Sequence, residues 1–167
     1  LTLKTMLAEI GFDNRLVSSE QVTSSLRARK TPAEIARMQT AIDHTIDIYG
    51  LLAGFIQPGQ TEKEIAAFTR AEIESRGLGY AWDPHHCPAV FTGPDTAGAH
   101  YQPTDRVVER GHILNMDFGV KFEDYVSDMQ RTFYILNEGE TAAPEEVMHG
   151  FETIVKSIGM AAEALVP

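Results

Sequence analysis

Asp117 and Asp128 are the residues of this chain whose type and spacing most directly suggest chemistry. They lie in GHILNMDFGVKFEDYVSDMQRTFYI, residues 111–135, where two runs of alternating character flank a polar turn. Ile113, Asn115, Asp117 and Gly119 share one face of the first run. Val126, Asp128, Gln130 and Thr132 share one face of the second, the period-two signature of strands. A turn centred on Phe122 and Glu123 would set Asp117 directly opposite Asp128 in an antiparallel pair. Side chains facing each other there have Cβ atoms about 4.5–5.5 Å apart, and like charges so placed repel. Two carboxylates that close share a proton or hold a cation, and an all-oxygen site suits a hard divalent metal. The competing reading is a solvated strand face that happens to be acidic. The alternation alone leaves both open.

The local wording adds to the spacing. Asp117-Phe118-Gly119, Tyr125-Val126-Ser127-Asp128 and Arg131-Thr132 stand in order, with the second Asp eleven residues after the first. His100-Tyr101-Gln102-Pro103 lies upstream, its His seventeen residues before Asp117. Together they resemble the metal-ligand hairpin and upstream His-x-x-Pro of the pita-bread metallopeptidases: the methionine aminopeptidases, Xaa-Pro aminopeptidases and prolidases. The His-Tyr-Gln-Pro wording looks closest to the Xaa-Pro branch.

The resemblance covers about residues 29–167. It implies an α+β chain, the first half of a pita-bread (creatinase/aminopeptidase) fold, with an antiparallel hairpin sheet packed against long helices. It implies a peptidase that hydrolyses Xaa-Pro bonds in proline-containing peptides, using a water activated by two divalent metals (Mn, Co, Zn or Fe). Asp117 would chelate one metal, Asp128 would bridge both, and His100 would act beside them as a catalytic residue. Thr132 and Arg131 would be supports, with Arg131 on the face opposite Asp128. The family's other ligands, a His and two Glu, belong to a second half, and His149 lacks their surroundings. The expectation is therefore a fragment with little or no activity and with metals absent or weakly bound. A half-fold also leaves a sheet edge and apolar surface uncovered, so a homo-oligomer is expected. Gln130 departs from the small or hydroxylated residue of the family's second-Asp motif. Two rival readings share the fold, a non-catalytic protein-binding module and a metal-free hydrolase resembling creatinase. Both tend to lack the Asp pair that stands here.

The elements that must position these residues follow from periodicity. Thr31-Pro32-Ala33-Glu34 opens the strongest helix, to about Gln57, with a capping box and Pro at the first helical position. Its expected buried stripe is Ile35, Met38, Ile42, Ile46, Tyr49, Leu52, Ala53 and Ile56. Thr61 and Glu64 repeat the box for a helix that Gly77 closes. Pro88 to Thr92 reads as a strand, and Gly93 to Gly98 as the loop that delivers His100. A last helix begins at Pro144 with Val147, Met148, Phe151, Ile154, Val155 and Ile158 expected inside. Before these, residues 1–30 read as a linker and the tail of an N-terminal domain, with short helices at Leu3–Ile10 and Ser19–Arg29 and a short strand at Arg15–Ser18. Residues 31–167 read as the first half of the catalytic domain. Leu1 and a helical pattern running into Pro167 suggest an excised piece of a longer chain.

Composition bounds the partners. The 167 residues carry 14 Lys plus Arg against 24 Asp plus Glu, a formal charge of −10, which argues against nucleic acid and anionic membranes. A single cysteine, Cys87, rules out an intrachain disulfide and fits a reducing cytoplasm. No apolar run has the length of a membrane span. His85, His86 and Cys87 form a cluster without the second ligand pair a zinc site needs. His85, His86 and Tyr101 are read instead as substrate-binding residues at the active-site rim, where Trp82 and Tyr80 are either further wall or aromatic core.

Overall fold

A computed structural model describes residues 2–94 and 101–165. They fall into two compact units, Leu1–Ala36 and Arg37–Pro167. The first unit contains helices α1 (Leu3–Ala8) and α2 (Glu20–Arg27) with a 3₁₀ turn at Asp13–Arg15 between them. The strand expected at Arg15–Ser18 is not formed. Two β-branched or apolar residues there, Leu16 and Val17, are exposed and pair with no other strand. At its end Thr31 and Glu34 make the expected capping box, each side chain bonding the other's backbone N–H.

The second unit carries most of α3 (Pro32–Phe55), α4 (Glu62–Ser75), six strands and α5 (Glu145–Ala164), the expected α+β mixture. Strands β2 (Ala89–Thr92), β3 (Ile113–Phe118) and β6 (Met129–Tyr134) form one antiparallel sheet with β3 in the middle. Strands β1 (Gly79–Tyr80), β4 (Val120–Phe122) and β5 (Tyr125–Val126) form a second. Leu114, Met116 and Phe118 of β3 are fully buried with Ile48 and Leu52 of α3 and Ile65 and Ile73 of α4. Period two then obliges Asn115 and Asp117 to face the other way.

The hairpin register differs from the sequence expectation. Its tip is Glu123-Asp124, both in the left-handed region at φ 45° and 67°, one residue later than a turn on Phe122 and Glu123. Asp117 therefore pairs with Gln130, and Gly119, not Asp117, falls level with Asp128. A one-residue move of the tip slides the partner by two positions, which preserves every residue's face. The tip lacks the Gly that usually marks such a turn. An Arg37 Nε–Glu123 Oε2 ion pair of 2.6 Å ties it to α3.

Two helices depart from the burial expected of them. On α3 the buried residues are Ala41, Thr45, Ile48, Tyr49 and Leu52, whereas Ile35 and Ile46 are about half exposed at 56% and 49%. The inner face runs through a threonine that an apolar-stripe reading passes over. On α5 no residue is buried. Phe151, Ile154, Val155 and Ile158, expected inside, are all about half exposed or more.

Candidate metal centre

The hairpin's outer face gathers the candidate residues. Asp117 and Asp128 both line a cavity of about 480 Å³ together with Trp82, Asp83, His86 and Ala89. The two acids are diagonal rather than directly opposed, which still brings them into one electrostatic site. The Asp117 carboxyl is raised above the usual range, first by burial and then by the Asp128 charge. Its Oδ1 is sealed from solvent and finds no hydrogen-bond partner among the described residues. A buried acceptor left without a donor costs free energy. An oxygen-seeking divalent cation is the ligand that such a carboxylate, beside a second one, is suited to accept. The residues present therefore fit a metal, although no group of three or more His, Cys, Asp or Glu able to hold one gathers among the described residues.

The local backbone explains why the acids sit where they do. Between β3 and β4 the chain passes Gly119, and a Cβ there would overlap the Ser127 carbonyl and press on Ala81. Only glycine allows the two hairpin arms this close approach. Ser127, buried beside Asp128, accepts the Val120 N–H at 2.9 Å. Its hydroxyl also meets the Thr45 hydroxyl of α3 at 2.6 Å. Asp-x-Gly and Ser-Asp are thus two sides of one crossing.

Other candidates divide. His86 reaches the cavity, and its Nε2 lies 3.2 Å from Gln102 Nε2. The indole N–H of Trp82 donates to the His86 carbonyl at 2.9 Å. His85 is exposed, its N–H bonded to Asp83 Oδ1, and does not line the cavity with His86. Cys87 is buried on the core side, near the Gly119 carbonyl at 3.6 Å, so the three-residue cluster splits. Tyr101 sets its ring edge against Phe91 at 5.6 Å, on the sheet rather than against the acids. His100 lies outside the described residues. Tyr80 bonds Glu74 at 2.6 Å and packs on the core, while Trp82 is the aromatic of the cavity wall. Arg131, though exposed, lies over the Tyr49 ring at 5.5 Å, on the face opposite the acids as its strand parity requires. Asn115 and Gln130 continue the outer face as a polar ladder, Gln130 donating to Asn115 at 2.6 Å and Asn115 to Thr132 at 3.1 Å.

A buried acid also escaped the sequence reading. Glu62, the first residue of α4, is fully buried. Its Oε1 accepts the Thr92 N–H at 2.9 Å, and its Oε2 accepts the Thr104 N–H at 2.9 Å and hydroxyl at 2.7 Å. It joins the backbone before and after residues 93–103. A charged residue next to a helix N-cap looks like surface in a sequence, and only the two distant donors reveal its role.

The sequence model of metallopeptidase family M24 matches residues 36–166. A putative Xaa-Pro aminopeptidase of Mycoplasma genitalium is 32% identical over 118 residues, 70% of this chain and 32% of that protein. Human Xaa-Pro aminopeptidase 3 is 29% identical over 140 residues, 81% of this chain and 26% of the relative. The chain thus spans about a third of the length of the curated relatives it matches. Among solved structures, an X-Pro aminopeptidase from Thermotoga maritima superposes with a TM-score of 0.66 at 29% identity, over 77% of this chain and 34% of that one. A prolidase from Thermococcus sibiricus gives a TM-score of 0.78 at 24% identity, over 99% and 44%, a likeness of fold. The architecture is the first part of the pita-bread fold.

Proposed function

Since this chain belongs to metallopeptidase family M24, we propose that the whole protein hydrolyses Xaa-Pro peptide bonds in proline-containing peptides, as an aminopeptidase or dipeptidase of the cytoplasm. The observation that carries the reading is the partnerless, buried Oδ1 of Asp117 beside Asp128. Asp117 and Asp128 would be this chain's ligands to two divalent metals, drawn from Mn, Co, Zn and Fe. Such metals supply an acidified water and a Lewis acid toward the scissile carbonyl. The chain's own residues do the rest. Gly119 and Ser127 hold the two carboxylates at one crossing. Trp82 offers an apolar wall of the size a proline ring fills. His86, steadied by Gln102, presents a ring nitrogen to a substrate carbonyl or carboxylate. His85 and Tyr101 would act at the rim. His100 would move a proton beside the metals.

Residues 1–30 are proposed as a linker from a preceding domain, and residues 31–167 as the first part of the catalytic domain. By itself this chain is proposed to turn over little or no substrate, since two carboxylates do not close a tight dinuclear site. Its exposed α5 stripe supports self-association into a homo-oligomer, which sedimentation at rising concentration reads directly. Among the described residues no helix is long and apolar enough to cross a membrane. Calorimetric titration with Mn²⁺, paired with an Xaa-Pro dipeptide assay, tests the reading. Weak binding that Asp117→Ala abolishes, without turnover, is expected. Micromolar affinity with turnover would contradict the inactivity of the isolated chain, and binding indifferent to Asp117 would contradict the site.

A further inference from the structure

Behind the two acids, helix α3 touches the hairpin with two hydroxyl groups one turn apart. Thr45 and Tyr49 are both buried. The Tyr49 hydroxyl lies 2.8 Å from the Met129 carbonyl and 3.1 Å from the Met116 carbonyl. Those are the backbone oxygens directly after Asp128 and directly before Asp117. One proton shared between two acceptors draws the two strands to a common point.

Thr45 acts on the same crossing from the other side. The Ala41 carbonyl can only accept, so the Thr45 hydroxyl donates to it at 2.9 Å. The Thr45 and Ser127 hydroxyls share a bond of 2.6 Å in which either can donate, since the Val120 carbonyl at 3.4 Å offers the Ser127 proton a second acceptor. Ser127 Oγ also accepts the Val120 N–H at 2.9 Å, so the groups form one line, and bonds linked in this way strengthen one another. The line begins at a helix carbonyl and ends at the strand break next to Gly119, one residue from Asp128. Tyr49 also packs on Phe118, the neighbour of Asp117, with ring centres 4.5 Å apart and planes tilted by 40°.

We propose that Thr45 and Tyr49 are positioning residues for the candidate metal centre, fixing from the buried side of the sheet the separation at which the Asp117 and Asp128 carboxylates meet a divalent cation. Neither lines the cavity; Tyr49 acts through the backbone carbonyls beside each acid, and Thr45 through the side chain of Ser127, the neighbour of Asp128. The inference rests on the metal reading of that pair. Supports one bond behind a metal ligand typically change affinity by about 10–100-fold when removed.

The test is a Mn²⁺ titration of the isotopically labelled 167-residue chain, followed by paramagnetic broadening of the Phe118 and Met129 amide signals. This works in the millimolar range and needs no catalysis. Thermal melts of each variant are recorded beside it. Thr45→Val and Tyr49→Phe, which keep volume and lose a hydroxyl, are expected to weaken Mn²⁺ binding by about tenfold. Thr45→Ser, which keeps the hydroxyl, and Ile48→Val, a buried apolar trim on the same helix, are expected to bind like the wild type. Wild-type affinity in Thr45→Val and Tyr49→Phe would overturn the proposal. So would weakening that follows the loss of melting temperature in all four variants, Ile48→Val included. If Tyr49→Phe does not fold, the Thr45→Val and Thr45→Ser pair decides alone. Absence of any broadening in the wild type would overturn the metal reading itself, and this inference with it.

Discussion

Two carboxylates in this chain leave water in opposite circumstances. Glu62, at the start of α4, is fully buried, and three donors from Thr92 and Thr104 occupy both its oxygens. Asp117, on the outer face of the sheet, is only partly buried, yet one oxygen is sealed without a partner and a second acid stands beside it. Burial of a charge is tolerated where hydrogen bonds replace the lost water. By that measure both oxygens of Glu62 are satisfied and Oδ1 of Asp117 is not. The contrast separates an acid that holds the fold from one held by it, and it does so without reference to any relative.

Substitutions sharpen the contrast, because replacing each of the two acids by its amide should change stability with opposite sign. The largest effect is expected at the crossing that carries the acids. Gly119→Ala sets a methyl group against backbone, which cannot swing aside as a flexible side chain would. Its cost should reach about 4 kcal/mol, read by denaturant unfolding, while the bonds around Glu62 are untouched. Glu62→Gln comes next. It turns one of the two acceptors into a donor facing a backbone N–H, and it should cost about 3 kcal/mol, with faster cleavage by chymotrypsin after Tyr101 as the flanks of residues 93–103 are released.

Asp117→Asn should do the reverse in metal-free buffer and raise stability slightly, by less than about 1 kcal/mol, since solvent screens the pair. The sign follows from linkage. A carboxyl whose folded pKa is raised favours folding fully only below its unfolded pKa, and that contribution disappears as pH rises through the folded value. The wild type should therefore lose stability across that interval of the acid range, and Asp117→Asn should lose less. A parallel pH dependence in the two proteins would break the comparison.

Much of this was legible in the sequence. Alternation along 111–135 assigned Asp117, Asp128 and Gln130 to one face and Arg131 to the other, and these faces hold. The register did not follow, because Glu123-Asp124 turns the chain without the glycine that would have located it. A shift of two positions is invisible to a period-two pattern, so the faces survived the error. The α3 stripe was displaced because Thr45 is inside by virtue of a hydroxyl partner far along the chain. Glu62 was missed for the same reason. In α5 the apolar stripe was read correctly as a stripe but not as a buried one, since period 3.6 records which face is apolar and nothing about what covers it. Polar residues satisfied by distant donors are what local pattern cannot supply.

The Asp117–Asp128 pair is proposed to take a divalent cation. Thermal unfolding of the wild type and Asp117→Asn, with Mn²⁺ and with chelator, tests it most directly, because a ligand that binds the folded chain raises its melting temperature by mass action. A rise with Mn²⁺ in the wild type that is missing in Asp117→Asn is the predicted result. Equal shifts in the two proteins, or no shift in the wild type at millimolar Mn²⁺, would contradict it.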